Sequence, residues 1–194
     1  HSAGLGILSQ YSENLTFKNV NIVPNREKGR YFSGHDDGMH FSSCRGKIVI
    51  DSCAYAGLMD DPINIHGVYV KIIKKLSSNT VLCRFMESMS VGMEWGRQDE
   101  KVAFIDNKSL QSVAMATVNE FRPITPTDFE LTFTEPVWEH IKEGFGLENI
   151  SWLPSATITN SLFESCRARG ILVTTPEKVV IENNTFKSSG SAIL

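Results

Sequence analysis

No run of about 18 consecutive apolar residues occurs in the 194-residue chain, so the sequence carries no signal for a helical membrane span. Cysteine is sparse: Cys44, Cys53, Cys83 and Cys166 form no Cys-x-x-Cys pair, and no histidines stand at zinc-finger spacing. These four read as small buried hydrophobes rather than as metal ligands or a disulfide frame. Positive charge is not in excess either. Nineteen basic residues face 22 acidic ones, for a net charge of -3, which argues against a nucleic-acid backbone as partner. With 41% hydrophobic and 21% charged residues, the composition is that of a folded protein of one or two domains and not of a disordered chain. No secretory leader is legible at the start. The chain opens inside a strand-like run from Gly4 to Leu8 and closes on Ala192-Ile193-Leu194. Both ends are therefore expected to be cuts in a longer protein.

What is present is a repeat. Ile158-Thr159-Asn160-Ser161-Leu162-Phe163 returns as Ile181-Glu182-Asn183-Asn184-Thr185-Phe186, with related forms at Phe17 to Ile22 and Ile50 to Tyr55. Each alternates apolar and polar residues, the pattern of a half-buried strand. A second strand type follows each of the four: Met39-His40-Phe41, Ile63-Asn64-Ile65, Ile171-Leu172-Val173 and Ala192-Ile193, each introduced by Gly or Pro within two residues. Two short strands per period of roughly twenty to twenty-four residues predict the coils of a parallel β-helix. Asn at the corners fits, because Asn tolerates the left-handed backbone and ladders from coil to coil. The fold class expected is all-β.

The repeat stops between about Val68 and Asn149. Val70–Ile73, Val81–Phe85, Lys101–Ile105, Ser112–Val118 and Phe129–Phe133 read as strands separated by polar or glycine-containing turns. They predict a small antiparallel barrel or sheet inserted between coils. Pro136 and Gly144 bracket a stretch that reads as one short helix. The expected organisation is β-helix coils over 1–67, an inserted antiparallel domain over 68–150, and further coils over 151–194.

Aligning the second strands of successive coils places Asp37, Asp61 and Arg169 in one column. His40, Asn64 and Leu172 fall in the next outward column, and Ser42, His66 and Thr174 in the one after; Asp36 and Asp60 lie just upstream. Neighbouring coils are about 4.8 Å apart, so one face should concentrate carboxylates, two histidines, an asparagine and an arginine. Clustered carboxylates repel, so one of them should hold a proton near neutral pH. A protonated acid beside ionised neighbours is what glycoside hydrolysis needs. An acidic surface patch or a Ca²⁺ site is the structural alternative.

The segments His35-Asp36-Asp37-Gly38-Met39-His40-Phe41-Ser42-Ser43-Cys44-Arg45-Gly46 and Gly57-Leu58-Met59-Asp60-Asp61-Pro62-Ile63-Asn64-Ile65-His66-Gly67 resemble glycoside hydrolase family 110. A third match runs from Arg167 through Pro176 and on from Val180 to Phe186. These enzymes are α-1,3-galactosidases that remove the terminal galactose of the blood group B antigen. The resemblance implies a right-handed parallel β-helix with an inserted barrel, and exo-hydrolysis of terminal α-1,3-linked galactose with inversion. It implies no metal and no cofactor. By motif, Asp37, Asp60 and Asp61 are the catalytic carboxylates, with Asp60 as general acid and Asp37 and Asp61 holding and activating water. An inverting pair stands about 6.5–9.5 Å apart, which favours a diagonal pairing of Asp60 with Asp37.

Other residues carry two readings each. His40, Asn64 and His66 are candidates for binding sugar hydroxyls, or for bonding from rung to rung. Arg169 either binds substrate or holds Asp61 ionised. Trp95 and Trp152 read as packed aromatics ahead of sugar-stacking platforms. The partner expected is a galactose-terminated oligosaccharide or glycoconjugate, outside the cell or at its surface; unpaired coil edges also invite self-association. The rivals are a non-catalytic carbohydrate-binding module and another β-helix polysaccharide-degrading enzyme. A lyase acting on uronic acids would want a positive site, and this one is mainly acidic.

Overall fold

The computed structural model describes residues 3–137, 139, 141–187 and 190–194. The chain divides into two compact units, residues 1–67 with 152–194, and residues 68–151. The first strands are β1 (Ile7–Gln10), β2 (Glu13–Lys18), β3 (Asn21–Ile22), β4 (Met39–Ser42), β5 (Arg45–Asp51), β6 (Ala54–Ala56) and β7 (Ile63–His66). Next come β8 (Tyr69–Lys75), β9 (Thr80–Phe85), β10 (Lys101–Ile105), β11 (Ser112–Pro123), β12 (Asp128–Phe133) and β13 (Gly146–Asn149). The last are β14 (Pro154–Thr159), β15 (Leu162–Glu164), β16 (Ile171–Val173), β17 (Val179–Glu182) and β18 (Thr185–Lys187). The protein is all-β. Two short 3-10 turns are its only helical segments among the described residues.

In the first unit the strands fall into three four-stranded sheets, ordered β1-β4-β7-β16, β2-β5-β14-β17 and β3-β6-β15-β18. Every pairing within them is parallel. The chain visits the three sheets in rotation, so each period carries three strands, where the sequence predicts two. The reason is local. Asn19, Ser52, Asn160 and Asn183 each adopt a positive φ, at 54°, 56°, 53° and 55°. One left-handed residue turns the corner between two strands without disturbing the apolar alternation on either side. The run Ile158 to Phe163, read as a single strand, is thus the end of β14, the corner Asn160 and the start of β15.

Period-two alternation also explains the core. Met39 and Phe41 of β4, Ile63 and Ile65 of β7 and Ile171 of β16 are fully buried, and they stack in register. An aromatic ladder runs through the β6-β15-β18 sheet: Tyr55 stacks on Phe163 at 5.1 Å, and Phe163 on Phe186 at 4.8 Å. Burial pushes the Tyr55 phenol far up from its usual range, so it remains a neutral donor, here to the Met39 thioether. Cys44, Cys53 and Cys166 are buried beside this core with each thiol directed at the carbonyl two residues earlier.

The second unit is a closed antiparallel barrel in the order β10-β11-β12-β9-β8-β13. Its core holds Trp95, Phe104, Phe129, Phe133, Leu131 and Val118. Trp95 is fully buried and donates from Nε1 to the Val68 carbonyl at 2.7 Å. The barrel closes through β13, which pairs with both β10 and β8. Four residues beginning with Gly146 are too short to announce that strand in the sequence. The helix expected between Pro136 and Gly144 is not formed by the described residues there, which make turns and coil; Trp138 and His140 lie outside the described residues.

Candidate functional site

Strands β4, β7 and β16 lie side by side and set the site. Their register pairs His40 with Asn64, Ser42 with His66, and Asn64 with Leu172. The segments entering these strands carry the charge. Gly38 donates its amide to the Asp61 carbonyl at 2.9 Å, which fixes Asp37 against the Asp60-Asp61 segment of the next coil. Gly38 is obligatory for this approach. A Cβ there would stand 2.7 Å from the Pro62 carbonyl oxygen and 2.8 Å from Leu58 Cδ1. Gly38→Ala is therefore expected to cost about 1–3 kcal/mol of stability by overpacking, read as a lower urea midpoint at unchanged slope.

The three aspartates occupy different environments. Asp61 is completely buried. Arg169 grips it with Nε at 2.9 Å from Oδ1 and Nη2 at 2.7 Å from Oδ2, and the Arg169 amide adds a bond to Oδ1 at 3.0 Å. Such a forked, charge-assisted contact is geometrically specific. Of its two sequence readings, Arg169 takes the one that pairs it with Asp61, and this contact is the main cause of the rise in its already high pKa.

Asp37 is also buried. Its Oδ2 accepts from His40 Nδ1 at 2.6 Å and from Asn64 Nδ2 at 3.0 Å, and its Oδ1 accepts from the Asp61 amide at 3.1 Å. Burial alone would push this carboxyl up. The hydrogen bonds from His40 and Asn64, the His40 charge and the Asp61 amide outweigh it and hold the pKa below the ordinary carboxylate value.

Asp60 is the half-exposed member, with 51% of its side chain accessible. Partial burial, then the like charges of Asp37 and Asp61, push its carboxyl up; the Asp61 amide and the more distant Arg169 only partly oppose this. One face therefore holds an accessible carboxyl whose pKa is raised and two buried carboxyl groups locked by cationic and N–H donors. The divergence follows from environment, as in acid–base pairs generally.

The three side chains each place an oxygen within 4.8 Å of the others. The oxygens of Asp37 and Asp61 accept from N–H donors, and that of Asp60 is open to solvent, an arrangement equipped for proton chemistry.

His40 and His66, expected to face sugar or bond between rungs, meet each other: their Nε2 atoms are 2.8 Å apart, and His66 Nδ1 lies 2.7 Å from the Gly67 carbonyl. Asn64 Oδ1 is the buried side-chain acceptor without a partner among the described residues. Trp152 is packed, with the Tyr11 ring edge-on at 4.9 Å and the Arg45 guanidinium over its face at 4.5 Å. The contact between His40 and His66 is the rung-to-rung one of their two sequence readings; what the sequence does not carry is that these two rings bond each other. The register that pairs Ser42 with His66 sets the two rings on neighbouring strands, but their mutual orientation has no linear signal.

Residues 80–144 match the family model described as GLAA-B beta-barrel domain II. Over all 194 residues the chain is 51% identical to alpha-1,3-galactosidase B of Bacteroides thetaiotaomicron, covering 100% of this chain and 32% of that protein. It is 42% identical over 193 residues to alpha-1,3-galactosidase A of Bacteroides fragilis, covering 98% and 32%. To alpha-1,3-galactosidase B of Phocaeicola vulgatus it is 39% identical over 207 residues, covering 100% and 34%. The chain thus spans about a third of the length of the curated relatives it matches.

Proposed function

We propose that this chain is the catalytic segment of an exo-acting α-1,3-galactosidase of the glycoside hydrolase family 110 type, built on a right-handed parallel β-helix. The observation that carries the reading is the split among the aspartates: Asp60 is accessible and its pKa is raised, while Asp37 beside it is buried among N–H donors that lower its own. A binding module has no use for such a split; glycoside hydrolysis depends on it. The names of the relatives supply the linkage, an α-1,3-linked galactose, and the resemblance to glycoside hydrolase family 110 adds its terminal position and the blood group B antigen as a substrate. The three parallel sheets visited in rotation support the β-helix, and the strong right-handed preference of parallel crossovers supports its hand.

In this reading Asp60 gives its proton to the glycosidic oxygen as the bond from C1 to that oxygen breaks. Water adds to C1 from the other face and loses a proton to Asp37. Asp61, clamped by Arg169, contributes fixed negative charge near the developing oxocarbenium. Asn64 Oδ1 accepts from a sugar hydroxyl, which gives that buried oxygen its missing partner. No cofactor or metal enters the scheme. Glycan as substrate implies a secreted, periplasmic or cell-surface protein.

Inversion comes with the resemblance. A double displacement uses carboxyl groups about 5–5.5 Å apart and inversion about 6.5–9.5 Å, and the anomer first released tells the two apart. One experiment tests activity and outcome together. Proton NMR follows hydrolysis of the branched blood group B trisaccharide and of linear Gal-α-1,3-Gal by the chain and by its full-length parent. β-Galactose as the first product supports inversion, and α-galactose supports a double displacement. No galactose from either protein on either substrate overturns the galactosidase reading and moves the binding module ahead.

A further inference from the structure

Resting on this reading of the site, the contacts behind Asp37 carry a further consequence. Asp37 Oδ2, His40 Nδ1, His40 Nε2, His66 Nε2, His66 Nδ1 and the Gly67 carbonyl oxygen form one continuous chain. A carbonyl oxygen only accepts, so His66 Nδ1 must carry hydrogen. If both rings were neutral and Asp37 ionised, His40 would spend its one N–H on Asp37. Two nitrogen lone pairs would then face each other across 2.8 Å. That contact exists only with a proton in it. The chain of three side chains therefore holds one proton more than its most deprotonated state.

We propose that His40 and His66 together carry one imidazolium charge directed at Asp37, acting as positioning residues that keep Asp37 ionised. Burial of His40 by itself opposes a charge there, but Asp37 bonds its Nδ1 and stands in one cluster with Asp60 and Asp61, on the segments entering β4 and β7. Arg169, before β16, is the opposing positive charge, and it is spent on Asp61. On the other side β1 offers only Leu8 in register with His40. The two ring planes stand nearly perpendicular, at 87° with centroids 4.8 Å apart, and their Nε2 atoms make the direct contact. In this role the histidines need not touch the sugar. They act through Asp37.

Nitrogen-15 NMR of the histidine-labelled chain tests the proton directly. The chain has five histidines, and His40→Gln and His66→Gln spectra assign the two signals of interest. At pH 7, one of the two residues is expected to show both ring nitrogens protonated and the other a single protonated nitrogen. Two neutral rings at pH 7 would overturn the proposal. A second arm reads the pH profile of kcat/KM. His66→Leu, which removes the acceptor for His40 Nε2–H, is expected to move the acidic limb to higher pH by about one unit, because Asp37 loses a neighbouring cation. His66→Gln, whose side-chain oxygen can accept the same proton, restores most of the shift. An unmoved acidic limb in His66→Leu would leave the pair a merely structural contact and defeat the proposal. If no galactose is released by any variant, the galactosidase reading fails, while the nitrogen-15 result still decides the proton.

Discussion

Replacing Asp60 by asparagine is expected to lower kcat for galactoside hydrolysis by about 10²–10⁴-fold, the usual scale for loss of a general acid, with the fold intact. Asp60 is the accessible member of the cluster, and among the described residues its direct hydrogen bond is from the Asp61 amide to Oδ1. Asparagine keeps that acceptor and lacks the proton. The defect should shrink on an aryl α-galactoside, whose leaving group departs without protonation. A kcat within tenfold of the parent on Gal-α-1,3-Gal would remove Asp60 from the general-acid role. Stability should move the other way. Because the folded state raises the Asp60 pKa, its ionised form is disfavoured in the native protein at neutral pH. The variant is thus expected to melt slightly higher than the parent at pH 7, the small size reflecting solvent screening of a half-exposed group. The difference should vanish as pH falls through the raised value to the ordinary one, where Asp60 is protonated in both states. Asp37 has the opposite sign: its depressed pKa adds stability that is present above the ordinary carboxylate value and lost as pH falls below it.

Arg169→Met is expected to destabilise the chain by about 3–5 kcal/mol, the cost of stranding a buried charge. The carboxylate it leaves is only 1% exposed. Its one remaining hydrogen bond is from the Arg169 amide. Lysine at 169 should recover only part of the loss, because an ammonium cannot reproduce the two-pronged contact to both oxygens. Pairing Arg169→Met with Asp61→Asn should recover most of it, since neither charge is then stranded. The deficit of the single variant should also narrow as pH falls, because protonation removes the charge. Chemical denaturation across pH measures all of this. A loss below about 1 kcal/mol would show the pair to behave like an ordinary surface ion pair.

The all-β character was legible because period-two alternation survives every corner, as from Ile158 to Phe163. The same continuity hid the third strand of each coil: a single left-handed Asn or Ser turns the chain while the apolar phase carries on. Strand β13 was invisible for a different reason. Four residues starting at a glycine have little propensity of their own, and pairing with β8 and β10 makes them a strand. The helix expected from the Pro136 and Gly144 signals shows the converse, terminal signals around a segment whose described residues form turns.

At the site, residue order alone was enough to bring Asp37, Asp61 and Arg169 into one neighbourhood. Inward apolar residues such as Met39, Ile63 and Ile171 lock the phase of each strand, and every polar neighbour follows from that phase. Register says which residues are near and nothing about which atoms meet. That Arg169 spends its guanidinium on Asp61, that Asp37 is buried under His40 while Asp60 stays accessible, and that two histidines share a contact needing a proton all depend on side-chain direction and solvent exclusion. Those properties arise only once the coils are stacked, because desolvation and hydrogen-bond geometry belong to the packed assembly of strands and to no residue in isolation.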